Sequence, residues 1–280
     1  IGTSFAINTF TAAMPENVTK AQVTNTADDL NRDNRVQYGA VGDAKLVLQQ
    51  LIEETKSQVG EHGRGDVHGV KAEIAKIKEE FMKEWGPRLN SDETPMSPYR
   101  VFNEMMKTVD PANSIVTHDS GYPRNQLVPF WPALKPRSYI GWGKSTQLGY
   151  GLGLALGAKL AEPTKTVINV MGDAAFGMSG LDLETAARSE LGTITVVLNN
   201  GVMTHYYDHF PHATEHWKSN ELGGIYSDTA KSLGAYGERV HTPDQIGPAL
   251  TRAMEASENG QPSLLEMITK EEENISTYGR

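Results

Sequence analysis

Two residues in this 280-residue sequence have types and spacing that suit a shared divalent cation: Asp173 and Asn200. Asp173 offers a hard anionic oxygen and Asn200 a neutral amide oxygen. Both suit Mg²⁺, which takes few protein oxygens and completes its octahedron with phosphates and water. Each follows a strand-like apolar run. Thr166 to Met171 leads into Gly172-Asp173-Ala174-Ala175-Phe176, and Thr193 to Leu198 leads into Asn199-Asn200. One strand–helix–strand crossover, residues 174–199, brings the two run ends side by side on a parallel sheet, where ligands sit beyond the C-terminal strand ends. The small residues Gly172, Ala174 and Ala175 let the backbone approach a phosphate, and their N–H groups lie near a helix start, where the dipole favours an anion. Taken singly, Asp173 is more simply a helix cap, and Asn199-Asn200-Gly201 a turn. Their joint placement at consecutive strand ends favours the cation–phosphate site.

The elements around these residues alternate. Ser97-Pro98 reads as an N-cap followed by proline, opening a helix with Val101, Phe102, Met105, Met106 and Val109 on its apolar face. Ser114 to Thr117 is a short strand, Gly149 to Leu160 a small-residue helix, and Leu181 to Ser189 a helix. Ser227 to Leu233 and Pro243 to Glu255 are helices, and Ser263 to Ile268 is a final strand. Strands apolar on both faces alternating with helices predict a doubly wound parallel α/β sheet. Upstream, Ala21–Val23 and Val36–Tyr38 are strand-like, and Asp43 caps a helix containing Leu46, Val47, Leu51 and Ile52. Residues 57–66 read as a loop. Val67, Val70, Ile74, Ile77, Phe81 and Trp85 form the stripe of an amphipathic helix, read as a linker. Gly86, Pro87 and Pro95 then mark a boundary.

Composition narrows the functional classes. A net charge of −9 argues against nonspecific binding to nucleic acid or acidic membrane. With no cysteine there is no disulfide or thiolate metal site, which fits a reducing, cytoplasmic setting. No apolar run approaches the roughly 20 residues of a membrane helix. The chain starts at Ile1 with no signal-peptide pattern, and reads as part of a longer product.

Three other features invite chemistry. Gly149, Gly151, Gly153 and Gly157 suggest a dinucleotide site and an NAD-dependent oxidoreductase, but Leu154 or Leu156 stands where the third glycine of G-x-G-x-x-G belongs. A small-residue helix packed on the sheet is the simpler reading. His205/His209 and His212/His216 have the i, i+4 spacing of a zinc pair, yet Pro211 interrupts any single helix and no cysteine assists. Met203 to Trp217 reads instead as a segment lining or covering the pocket. Lys144 and Arg124 are placed near its entrance, with solvated surface charge as the default.

Gly172-Asp173-Ala174-Ala175-Phe176 followed by Leu198-Asn199-Asn200 resembles the GDG…NN motif of thiamine diphosphate-dependent enzymes, in its GDA variant. Upstream, Leu148-Gly149-Tyr150-Gly151-Leu152 with Ala155, Gly157, Ala158 and Lys159 is similar to the segment preceding that motif in the acetolactate synthase-like group. Residues 36–52 resemble the end of that group's middle domain. The resemblance implies the thiamine diphosphate-binding fold, with part of a second α/β domain: 1–60 as the end of the middle domain, 61–93 as linker, and 94–280 as the diphosphate domain. It implies thiamine diphosphate and Mg²⁺ as cofactors. Asp173, Asn200 and the Val202 carbonyl would ligate the metal. Gly172, Ala174, Ala175, Ser120, Gly121 and Met203 would contact the cofactor. Leu148 would be the wedge beneath the thiazolium, and the Thr146 carbonyl would accept from the 4′-amino group. Thr146 stands where the group often has glycine, a change a backbone carbonyl survives. The activating glutamate of such enzymes lies on a pyrimidine-binding domain, and no segment here resembles one. The resemblance therefore implies a partner domain from elsewhere, a homodimer or homotetramer, and a lyase or transferase acting on a 2-oxo acid. The alternative is a noncatalytic cofactor-binding module.

Overall fold

A computed structural model describes residues 1–7, 14–63, 65, 67–141 and 147–275. The chain divides into two compact units, with the division between Phe81 and Met82.

In the first unit, strands β1 (Ala21–Thr24) and β2 (Tyr38–Val41) pair in parallel, followed by helices α1 (Ala44–Val59) and α2 (Val67–Leu89), whose last turns belong to the second unit. Asp43 caps α1 as expected, its carboxylate accepting from the Leu46 N–H at 3.0 Å. β2 starts two residues later than the Val36–Tyr38 run, because Gln37 and Tyr38 both donate their N–H to the Lys20 carbonyl at the ladder's start. Helix α2 runs through Gly86-Pro87 and ends at Leu89, within the stretch 86–95 expected as a boundary. Proline removes one hydrogen bond, but Trp85 and Leu89, four residues apart on one face, are both buried. Trp85 sits 5.1 Å from the Tyr99 ring. Farther up the stripe, Val67, Ile74 and Ile77 are exposed.

The second unit continues with α3 (Pro98–Thr108), β3 (Ser114–His118), α4 (Tyr122–Leu127), β4 (Tyr139–Ile140), α5 (Tyr150–Ala161), β5 (Thr166–Gly172), α6 (Asp173–Ser179) and α7 (Asp182–Arg188). After these come β6 (Thr193–Asn199), α8 (Tyr206–His209), α9 (Pro211–Trp217), α10 (Tyr226–Ser232), β7 (Tyr236–Val240), α11 (Pro243–Glu258) and β8 (Ser263–Ile268). Among the described residues, six strands form a wholly parallel sheet in the order β4-β3-β5-β6-β8-β7. β5 and β6 are central and buried on both faces, which is why they read as continuous apolar runs. Side chains alternate between faces. Met171, Val197 and Leu264 join Leu152, Phe176, Leu183 and Ala230 in a cluster that unites α5, α6, α7 and α10 with one face. α11 packs on β6, β7 and β8 and against α3. This is the doubly wound architecture expected.

Ser97 occupies the N-cap of α3 and Pro98 its first turn, but the Ser97 hydroxyl makes no capping bond. The predicted strand and helix ends otherwise shift by three residues or fewer, and β8 spans the expected residues.

Candidate functional site

The parallel pairing of β5 with β6 sets Gly172 opposite Leu198, so Asp173 and Asn199-Asn200 emerge together from the sheet. Asp173 is buried, and each carboxylate oxygen accepts one N–H: Oδ1 from Ala174 at 2.8 Å, and Oδ2 from Gly201 at 2.9 Å. Burial raises the Asp173 pKa above the usual carboxylate value, opposed by the backbone N–H groups of Gly201, Ala174, Asp173 and Asn200. The second contact crosses from the end of β5 to the turn after β6. That turn is built by asparagine side chains. Asn199 Oδ1 accepts from Gly201 N at 3.1 Å, and Asn200 Oδ1 from Val202 N at 3.1 Å. Gly201 takes φ +73°, which favours glycine. The Asn200 amide donates to Thr204 Oγ1 at 3.2 Å, and Met203 N donates to the Asn220 carbonyl at 2.8 Å. Thus Asp173, Asn200, Val202 and Met203 form one connected corner. Gly172 caps α6, and Ala174 and Ala175 form its first turn. The Ala174 N–H is already given to Asp173, while the Ala175 side chain is buried in the core cluster.

A second carboxylate, absent from the sequence-level candidates, organises the next strand end. Asp119 follows β3 and is 0% exposed. Its Oδ1 accepts from Ser120 N at 2.8 Å and from Gly149 N at 3.0 Å, and its Oδ2 from Gly151 N at 2.8 Å. Burial raises its pKa, opposed by those same N–H groups, Gly151 first. Ser120 is buried, and Gly121, at φ +86°, opens α4. Leu148, directly before Gly149, is half-buried and packs on the cluster that contains Leu152, Met171 and Phe176. Thr146 and Lys144 lie outside the described residues. The signal for Asp119 was available: like Asp173, it is an aspartate directly after a buried strand.

Glu266 on β8, also 0% exposed, supports the corner from below. It accepts from Asn199 Nδ2 at 2.8 Å and from Ser227 N at 3.0 Å, with Arg239 Nε 3.4 Å away.

The segment after Met203 starts at the corner. His205 pairs with Asp208 at 2.9 Å and lies against the Tyr122 ring. His212, Glu215 and His216 have ligand atoms within 4.8 Å of one another on α9. All three are exposed, and no hydrogen bond orients either imidazole among the described residues, whereas metal-binding histidines normally have such a partner. Arg124 donates to Asn125 Oδ1 beside it. Gly151 owes its identity to packing: a Cβ there would lie 2.5 Å from Asn169 Oδ1, while Gly153 and Gly157 face open space.

The sequence model of the thiamine pyrophosphate enzyme C-terminal TPP binding domain matches residues 119–267, more than half of the chain. The chain belongs to this family. The matched thiamine pyrophosphate domain begins at Asp119 and runs to Met267, inside β8. A probable acetolactate synthase large subunit of Methanococcus aeolicus is 25% identical over 82% of the chain and 40% of that protein. The acetolactate synthase large subunit IlvG of Mycobacterium tuberculosis is 31% identical over 65% of the chain and 33% of that protein. A probable sulfoacetaldehyde acetyltransferase of Rhizobium meliloti is 25% identical over 92% of the chain and 46% of that protein. The chain therefore spans between a third and a half of the length of these relatives. Among its described residues, no helix is long and apolar enough to cross a membrane.

The donor set at the β5–β6 corner fits the diphosphate end of thiamine pyrophosphate. The Asp173 carboxylate and the Asn200 amide oxygen are hard oxygen donors held at one corner by backbone N–H groups, the kind of ligand a divalent cation carrying a pyrophosphate takes.

Proposed function

We propose that the full-length protein is a thiamine diphosphate- and Mg²⁺-dependent lyase or transferase acting on a 2-oxo acid, with decarboxylation followed by ligation to a second carbonyl or release of an aldehyde. The observation carrying this reading is the Asp173 Oδ2···Gly201 N contact of 2.9 Å, which joins the two metal-ligand segments. The names of the relatives, acetolactate synthase and sulfoacetaldehyde acetyltransferase, support chemistry at an acyl carbon.

Asp173, Asn200 and the Val202 carbonyl hold the metal. Gly172, Ala174, Ala175, Met203, Ser120 and Gly121 contact the diphosphate side. Leu148, backed by the apolar cluster, would be the wedge beneath the thiazolium, and the Thr146 carbonyl would accept from the amino group, as the resemblance implies. When bound, thiamine diphosphate supplies a carbon nucleophile that adds to the 2-oxo carbonyl and accepts the electrons released as CO₂ leaves. The second unit's residues orient and anchor. The activating glutamate comes from a pyrimidine-binding domain elsewhere in the full-length protein or in a second copy of a dimer or tetramer.

Calorimetric titration of the full-length protein with thiamine diphosphate and Mg²⁺ tests the reading. Asp173→Ala is expected to abolish cofactor binding and pyruvate decarboxylation. Undiminished binding by this variant would overturn the assignment.

A further inference from the structure

We infer that Asp119 is a positioning residue that locks the Leu148 turn and the Ser120-Gly121 loop into one rigid piece, and so sets where Leu148 presses on the cofactor. The inference rests on the proposed thiamine diphosphate site and goes beyond it, because the Asp119 carboxylate is wholly buried and is taken up by three backbone N–H groups.

The geometry is specific. One carboxylate takes three N–H groups from two segments about thirty residues apart, Ser120 on one side and Gly149 with Gly151 on the other. Gly149 is the left-handed cap of α5, at φ +87°, and Gly151 lies in the first turn. Asp119 thus serves as the missing N-cap side chain of a 12-residue helix, supplied by a neighbouring strand. Charge-assisted bonds of this kind are the strong ones.

Two further contacts remove the slack. The Thr117 hydroxyl, from β3, donates to the Gly151 carbonyl at 3.2 Å and lies 3.1 Å from the Asn169 side-chain amide on β5. Asn169 and Asp119 together fill the space a Cβ on Gly151 would need. The start of α5 is therefore fixed through its N–H groups, its carbonyl and its Cα, and Leu148 immediately precedes it. The half-buried Leu148 side chain packs against the apolar cluster of Leu152, Met171 and Phe176. An apolar wedge works only if its position is held, since misplacement by about 1 Å can cost roughly 100-fold in rate.

Asp119→Asn isolates the effect. The amide keeps the size but turns one acceptor oxygen into a donor, which then opposes a backbone N–H. In the full-length protein, two quantities are read: the deuterium exchange rate at C2 of bound thiamine diphosphate by NMR, per bound cofactor, and amide exchange across residues 147–152. The expected result is C2 exchange slowed about 10- to 100-fold, faster amide exchange at Gly149 and Gly151, and cofactor affinity changed only a few-fold. Should Asp119→Asn not fold, Thr117→Val, which removes the hydroxyl's contacts with the Gly151 carbonyl and with Asn169 Oδ1 and leaves Asp119 intact, is expected to slow C2 exchange several-fold. C2 exchange at the wild-type rate in whichever variant folds overturns the inference alone. Failure of the wild-type protein to bind thiamine diphosphate overturns the proposed function along with it.

Discussion

The backbone N–H of Gly201 donates to the carboxylate of Asp173 across the sheet edge at 2.9 Å, although the residues are 28 apart in sequence. This bond makes the ends of β5 and β6 one structural corner. Asn200, the residue before Gly201, is held to the same corner through Val202 N and Thr204 Oγ1. Asn200→Ala is accordingly expected to weaken Mg²⁺-dependent cofactor binding by about 10- to 100-fold, the scale for losing a metal-site partner, while the folded fraction stays unchanged. Isothermal titration at fixed thiamine diphosphate and varied Mg²⁺ measures it. A metal affinity equal to wild type would argue against Asn200 as a ligand.

Leu148→Ala should separate binding from chemistry. The proposed diphosphate contacts lie at other residues, so cofactor affinity is expected to change less than about tenfold, whereas turnover falls by more, roughly 100-fold. Steady-state kinetics with saturating cofactor, beside a direct binding titration, show the split. Equal losses in both would assign Leu148 to binding alone.

Glu266 makes a structural prediction. Truncation to alanine strands Asn199 Nδ2 and Ser227 N, and leaves the Arg239 charge without its partner. Removing one member of a buried charged network costs about 3–5 kcal/mol. Urea unfolding of Glu266→Ala should show a loss of unfolding free energy of that size, and Glu266→Gln, which keeps one acceptor, a smaller one. A loss below about 0.5 kcal/mol would mean that the network contributes nothing net.

His118 predicts a pH dependence. It is buried at the end of β3, its ring 5.4 Å from that of Tyr139 and its Nδ1 3.1 Å from the Asp119 carbonyl oxygen. Burial holds its pKa below the ordinary histidine value of 6.5. As pH falls below 6.5, the unfolded chain takes up this proton before the folded one, so stability declines between that value and the depressed folded-state pKa. Thermal melts of wild type should drop between pH 7.5 and 5.5, and His118→Phe should flatten that drop. An identical slope in the variant would locate the effect elsewhere.

Much of this protein is local information. The runs 166–171, 193–198 and 263–268 are strands because they are apolar on both faces, and a central parallel strand must be so to be covered on both sides. Aspartate and asparagine directly after two such runs specify their own turns, since their side chains bond neighbouring N–H groups. That the turn at Asp173 and the turn at Asn199-Asn200 lie side by side could therefore be read without coordinates. β7 could not: Tyr236-Gly237-Glu238-Arg239-Val240 is polar and lies at the sheet edge. It forms because its backbone pairs with β8, while Glu238 meets Arg252 and Arg239 approaches Glu266. Local propensity alone does not carry a helix through Pro87 either; α2 does so with Trp85 and Leu89 buried on either side. Asp119 is the sharpest case. In sequence it is an aspartate after a strand and before Ser-Gly, which marks it as a candidate but does not say what its carboxylate would hold. Two of its three bonds go to N–H groups 30 and 32 positions away. Periodicity and capping preferences act over a few residues, so only the folded sheet, by laying the end of β3 against the start of α5, could decide what that carboxylate holds.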